Sequence, residues 1–328
     1  MFCRTHSHGE SPAPYNQEDA PTPATLRITA PDMAPVIEVD ALTKSYGAVT
    51  GIDEVSFTVS PGEVFGFLGP NGAGKTTTIR ILMQLLRPDA GRTALFGVAL
   101  SERHPELHER VGYLPGDFRP PPEVRSGYYL QHMARYRSRP PALRDLLCDR
   151  FGFGEKEQRQ EIKHLSHGNR QKLGLVLALE NVPELAILDE PTLGLDPLVQ
   201  DAFYDVVSHL RDRGTTIFLS SHVLSEVEKV CSRVAIVRGG SLVAVESIDS
   251  LKRHRPRRLI VVLDAEDAAA HDLAGARLLT REGARCTYLI EGDVRAVVGA
   301  LPTSAREFFL PESDLEDVFL AYYRGSAG

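Results

Sequence analysis

Residues 69–78 read GPNGAGKTTT. Gly69 and the run Gly74, Lys75, Thr76 satisfy G-x-x-x-x-G-K-[ST], a spacing that builds a cradle for nucleotide phosphates. Glycines at 69, 72 and 74 let the backbone curl until several N–H groups face one anion. A helix that begins at the end of the loop adds its positive N-terminus. Lys75 can then reach the β and γ phosphates, and the Thr76 hydroxyl can ligate Mg²⁺. Asn71, Gly72 and Thr77 complete the expected nucleotide contacts. The flanks fit: the apolar run VFGFL at 64–68 predicts a strand buried on both faces. Ile79, Ile81, Leu82 and Leu85 follow at helical spacing.

Further apolar runs at 185–188, 216–219 and 234–237 predict more buried strands, with helical patterns between them. Strand and helix in turn predict an α/β core with a parallel sheet. Nearer the start, Ile37, Val39 and Ala41, then Val55, Phe57 and Val59, alternate with polar residues as half-buried strands do. Residues 117–164 show helical spacing after the prolines at 120–122 and predict a mostly helical insertion. The basic run LKRHRPRR at 251–258 predicts a linker, with anionic lipid headgroups as its other reading. A small α+β domain is expected beyond it: strands at 259–262, 286–290 and 308–310, and helices at 265–273 and 294–301. A last helix is predicted from the capping box Ser313/Glu316 and the apolar face Leu315, Val318, Phe319 and Tyr322. Residues 1–35 hold six prolines among Ser, Thr, Glu and Asp, a composition that predicts disorder. Cys3, His6 and His8 lie in that tail without a nearby fourth metal ligand.

The composition narrows the function. A net charge of −7 over 328 residues argues against sequence-independent nucleic-acid binding, which needs excess positive charge. Four scattered cysteines with no CxxC pair predict a reducing compartment. No stretch reaches the roughly 20 apolar residues of a membrane helix, and no apolar signal core opens the chain. The expectation is a cytoplasmic protein that does not itself cross a membrane.

The second half carries the chemistry. The run LAIL ends in Asp189 and Glu190. A carboxylate at the end of a buried strand can hold Mg²⁺, which suits Asp189. Glu190, one residue on, points elsewhere and can orient and deprotonate an attacking water. His222 ends another apolar strand, where it can contact a γ-phosphate. Ser166 and Gly168, in LSHGNRQK at 165–172, precede a helix with Leu173, Val176 and Leu177 on one face. That helix start can also face an anion.

Together these motifs resemble the ATP-binding cassette (ABC) family, over roughly residues 36–245. The resemblance implies a P-loop NTPase nucleotide-binding domain over 36–250 with a helical subdomain at 117–164, between a tail at 1–35 and an accessory domain at 256–328. GPNGAGKT resembles the Walker A motif. LAILDEP resembles Walker B, with Asp189 as metal residue and Glu190 as catalytic base. LGLDP resembles the D-loop, with Asp196, SSH resembles the switch motif of His222, and Tyr46 matches the aromatic that stacks on adenine. LSHGN resembles the signature motif, usually LSGGQ, which in this family covers the γ-phosphate held by a second cassette. The third and fifth positions depart from it, as His167 and Asn169. Gly116 stands where the family usually has the Q-loop glutamine, so that Asp117 or a water takes over the metal contact, or coupling is looser.

The resemblance implies ATP and Mg²⁺ as cofactors, hydrolysis in a head-to-tail homodimer, and a separate membrane permease at the cytoplasmic face. The GNRQK variant, the region after SSH and the C-terminal LEDVFLAYY point to exporter ATPases of the drug, polysaccharide or lipid kind. The alternatives are an importer ATPase, or an ABC protein acting on ribosomes or chromosomes. No nucleic-acid partner is expected.

Overall fold

The structure is a computed structural model that describes residues 34–47, 49–253, 257–264, 273–290 and 292–311. The tail with Cys3, His6 and His8, nearly all of the expected 265–273 helix and the Ser313–Tyr322 helix pattern lie outside the described residues.

The chain opens with two strands, β1 (Ile37–Tyr46) and β2 (Val49–Val59), then β3 (Val64–Leu68) and helix α1 (Lys75–Leu82). Next come β4 (Ala90–Leu95), β5 (Val98–Ala99), the short α2 (Pro105–His108) and β6 (Val111–Leu114). The helical stretch holds α3 (Ser126–Ala134), α4 (Arg144–Arg150) and α5 (Glu155–Arg159). Then follow α6 (His167–Leu179), β7 (Leu185–Asp189), α7 (Pro197–Asp212), β8 (Thr216–Ser221), α8 (Leu224–Val230), β9 (Arg233–Arg238), β10 (Ser241–Ser247) and α9 (Ile248–Arg253). The C-terminal part contains β11 (Arg257–Leu263), β12 (Ala276–Glu282), β13 (Arg285–Ile290), α10 (Val294–Gly299) and β14 (Ala305–Phe309).

The first ten strands form one sheet in the order β5-β4-β1-β2-β10-β9-β3-β8-β7-β6. Its β9-β3-β8-β7-β6 half is parallel. The expectation of a parallel sheet holds for that half. Elsewhere the sheet is mixed: β5, β4, β1 and β2 pair antiparallel, as do β9 and β10, and β10 meets β2 in parallel only at Ser241 and Asp53. Buried strand residues alternate between two cores. Val64, Leu68, Ala186, Leu188, Ile217 and Leu219 face one, with α6 and α7. Phe65, Phe67, Leu185, Ile187 and Phe218 face the other, with α1. Covering both faces with helices explains why these strands read as continuous apolar runs. Phe57, Phe65 and Phe218 stack and Phe67 packs tilted against Phe57 and Phe218, with centroids 5.3–6.0 Å apart, which packs β2 of the antiparallel half against the parallel strands.

Two sequence expectations change at bulges and helix ends. Ala41 does not share the buried face of Ile37 and Val39: it is exposed, with φ 46°. The register shifts between Val39 and Leu42, so the inward position passes to Leu42, as a β-bulge dictates. Leu85 is 63% exposed, since α1 stops at Leu82 and Gln84 turns the chain at φ 54°.

Residues 117–164 contain no strand among the described residues. Leu130, Leu147, Phe151, Phe153 and Ile162 anchor this stretch in the same core as α6. The basic run is mostly not a linker: Leu251 and Lys252 belong to α9, and β11 begins at Arg257. Lys252 pairs with Glu228 at 3.6 Å. The C-terminal strands make a separate antiparallel sheet, β12-β13-β11-β14, over its own cluster of Leu259, Val261, Cys286, Tyr288 and Val297.

Gly112 sits where β6 meets α6, and a methyl group there would overlap the Ala178 carbonyl oxygen. Gly112→Ala is therefore expected to destabilise the chain by about 2 kcal/mol, as overpacking does. Thermal unfolding would show it as a Tm lowered by about 5 °C; an unchanged Tm would mean the helix can shift away freely.

Candidate nucleotide site

Parallel neighbours bring the site together. Leu68 of β3 pairs with Ser221 of β8, and Ser220 of β8 pairs with Asp189 of β7. Their carboxyl ends therefore emerge side by side, where open α/β sheets bind ligands. The 69–74 loop leaves β3 at this edge and turns into α1 at Gly74. That residue has φ 99°, and a methyl group on it would overlap Ile52. Both the left-handed conformation and the contact exclude other side chains.

A cavity opens here, lined by Tyr46, loop residues 71–77, Arg80, Gly116, Asp117 and Glu190. Lys75 is 6% exposed; its ammonium donates to Gly69 O at 2.7 Å and Pro70 O at 3.2 Å and pairs with Glu190 Oε1 at 3.0 Å. The other Glu190 oxygen, Oε2, lies 2.7 Å from His222 Nδ1. One carboxylate is thus shared between the loop lysine and the strand-end histidine. Asp189 is fully buried. Its Oδ2 accepts from the Thr76 hydroxyl at 2.8 Å and its Oδ1 from the Ser220 hydroxyl at 2.6 Å. A buried carboxylate beside a threonine hydroxyl, at the mouth of a phosphate cradle, is an oxygen donor set that suits Mg²⁺. Thr76 and Asp189 could hold the ion, and the ion would neutralise phosphate charge.

Tyr46 is half exposed at the end of β1, its hydroxyl 3.5 Å from Thr77 Oγ1. A flat ring left open on the cavity rim can receive an adenine face. On the opposite side, Gly116 closes against Asp189: a methyl group at 116 would lie 2.9 Å from Oδ2. Asp117 reaches the cavity wall and pairs with Arg119 at 2.6 Å. The Tyr113 phenol is pushed up to about 12, first by burial and then by the Asp189 charge, with Arg80 opposing both.

Ser166, Gly168 and Asp196 are not in this wall among the described residues. Ser166 is exposed and caps α6 by accepting from Asn169 N at 3.1 Å. Gly168 lets α6 approach the 192–196 turn, where a methyl group would lie 2.7 Å from Gly194 O. The His167 ring lies against Gly194. Asp196 caps α7, accepting from Val199 N at 3.0 Å. Of the residues expected at the site, the structure brings Tyr46, Gly69, Asn71, Gly72, Gly74, Lys75, Thr76, Thr77, Asp189, Glu190 and His222 together, and leaves Ser166, Gly168 and Asp196 away from that cavity.

Sequence reasoning passed over Ser220. Its hydroxyl donates to Asp189 and accepts from Glu190 N–H at 2.9 Å. The available signal was a polar residue closing the apolar run TIFL.

Comparison with known proteins agrees with this architecture. Residues 52–193 match the family model described as ABC transporter. An uncharacterized ABC transporter ATP-binding protein of Synechocystis is 33% identical across 92% of this chain and 89% of its own length. The Nod factor export ATP-binding protein I of Ralstonia nicotianae is 32% identical across 87% of this chain and 93% of its own. A solved ATP-binding subunit of an ABC transporter superposes with TM-score 0.61 at 30% identity, covering 66% of this chain and 92% of that one. With the phosphate cradle, strand-end carboxylates and sheet order already in place, the relatives settle the family: this chain is an ABC transporter ATP-binding protein with an ATPase domain.

Proposed function

We propose that this chain powers a membrane exporter through a separate permease, and that two copies pair head to tail around two Mg-ATP. The observation that carries the pairing is the separation of Ser166 and Gly168 from the cavity that holds Lys75, Thr76 and Glu190. A site with a cradle and a base but without those groups is completed by a second copy. The export reading is supported by the Nod factor export relative. It places the protein at the cytoplasmic face of a membrane; among the described residues no helix is long and apolar enough to cross one. It also divides the chain into a 36–250 ATPase domain, with its 117–164 helical subdomain, and a 256–328 accessory domain.

Within the site each residue has one task. The 69–77 loop and Lys75 orient the triphosphate. Glu190 accepts the proton of the attacking water, and His222 fixes the Glu190 carboxylate through their contact. Charge developing on the transferred phosphoryl group meets Lys75 on its own chain and, across the interface, Ser166, Gly168 and Asp196 of the second copy. Tyr46 stacks on the base. Tyr46→Ala is expected to weaken ATP affinity by about tenfold, the value of one aromatic–base stack, while leaving turnover at saturating ATP nearly intact. Titration with a fluorescent ATP analogue checks it; unchanged affinity would remove Tyr46 from the site.

The test of the whole reading is affinity capture of tagged Glu190→Gln chain from detergent-solubilised native membranes, with and without ATP. A multi-spanning membrane protein that co-purifies supports the exporter subunit. Ribosomal or chromosomal proteins in its place would overturn export and leave the ATPase.

A further inference from the structure

Glu190 has φ 50°, a left-handed conformation that a non-glycine residue holds only when its surroundings impose it. Two side chains grip its backbone from opposite sides. Ser220 Oγ accepts its N–H at 2.9 Å. The Gln171 side-chain amide donates to its carbonyl oxygen at 3.0 Å, and also to Pro191 O at 3.1 Å. Gln171 is 6% exposed and stands in the second turn of α6, the helix that Ser166 caps. One buried amide thus spans two successive carbonyls directly after β7.

We propose that Gln171 is a positioning residue for Glu190, and that through it α6 is tied to the catalytic carboxylate of its own chain. The proposal rests on the reading of Glu190 as the base. Without the Gln171 amide, the Pro191 carbonyl loses that donor and the Glu190 carbonyl keeps the Leu193 N–H at 3.2 Å, a weaker hold on the left-handed turn. The carboxylate then leaves the geometry set by Lys75 and His222, and general-base catalysis is sensitive to such displacement. The contact of Gly168 and His167 with Gly194 makes the start of α6 and the turn after β7 one packed unit. A push on Ser166 and Gly168 from a second copy's nucleotide would therefore reach Glu190 through Gln171.

The experiment compares Gln171→Met, which keeps the volume and has no donor, and Gln171→Glu, which keeps the size and loses the donor when ionised, in the full chain, with kcat followed from about pH 6 to pH 9. We expect kcat to fall about tenfold to a hundredfold in both, with KM and affinity for a fluorescent ATP analogue within about twofold of wild type. If Gln171 acts through Glu190, the Gln171→Glu/Glu190→Gln double variant is no slower than Glu190→Gln alone. Wild-type kcat in Gln171→Glu, additive losses in the double variant, or a joint fall of kcat and nucleotide affinity would overturn the proposal. Should Gln171→Met not fold, Gln171→Glu decides. If Glu190→Gln itself turns over normally, the base assignment fails and the positioning role with it. If Glu190→Gln is inert while Gln171→Glu is unimpaired, only the positioning role fails.

Discussion

Glu190→Gln is expected to bind Mg-ATP with near wild-type affinity and to hydrolyse it at least about 100-fold more slowly, the loss typical of removing a general base. That factor corresponds to about 3 kcal/mol of barrier. The amide fills the same space, and its oxygen can still face Lys75 Nζ, which lies 3.0 Å from the carboxylate in the native chain. It cannot accept a proton from water. Binding should survive because the phosphates are held by the 69–77 loop, not by residue 190. Phosphate release at saturating ATP and a separate nucleotide titration give the two quantities. A variant that hydrolyses ATP at a rate within a few fold of wild type would move the base elsewhere, and His222 would be next to examine.

Arg144→Leu is expected to cost about 3–5 kcal/mol of stability, the usual result of stripping one partner from a buried ion pair. Arg144 donates from Nε to Glu180 Oε2 at 2.7 Å and from Nη2 to Glu180 Oε1 at 2.9 Å, with a further bond to Leu130 O at 3.0 Å. The Glu180 side chain is 2% exposed. It caps the C-terminus of α6, where a negative charge opposes the helix dipole. Without the guanidinium, that carboxylate is buried with no ion-pair partner in contact and only the Arg137 charge acting on it. Burial already raises the Glu180 pKa, with Arg144 and then Arg137 pulling it back down; removing Arg144 leaves only the smaller Arg137 effect against the upward shift. The sign follows by linkage. A carboxyl whose folded pKa lies above its unfolded value binds more protons folded, so its stabilising contribution is present below the unfolded pKa. It is lost as pH rises through the folded pKa. The deficit of Arg144→Leu should therefore be smaller near pH 5 than near pH 8. Thermal melts across that range, with Arg144→Leu/Glu180→Leu as the rescue, decide it. A deficit below about 1 kcal/mol at pH 8 would mean the pair acts like a surface bridge.

Legibility followed the physics of each element. Buried parallel strands announced themselves because both of their faces are apolar. The strand β12 did not: its burial pattern is nearly all exposed, so no period of two appears in ARLLTRE. Ala41 was misread because a bulge is a backbone event that alternation cannot register. The sequence likewise read Lys75, Thr76, Asp189 and Glu190 correctly as neighbours, because a strand end beside a phosphate loop constrains each residue within a few positions. Ser220 and Gln171 escaped because a serine in a strand and a glutamine in a helix are common, and only their partners across 31 and 19 residues make them specific.

The sequence by itself determined the local chemistry: a loop that must curl, a lysine within it, and carboxylates at the ends of apolar runs. Those follow from backbone sterics and short-range spacing. Tertiary structure alone decided which groups share an atom. The Glu190 carboxylate lies between Lys75 and His222, Asp189 lies between Thr76 and Ser220, and the signature residues are held off that cavity against Gly194. The reason is that β3, β8 and β7 are adjacent in space but distant in sequence. Their order comes from how helices cover both faces of the sheet, a global packing solution that no local pattern encodes.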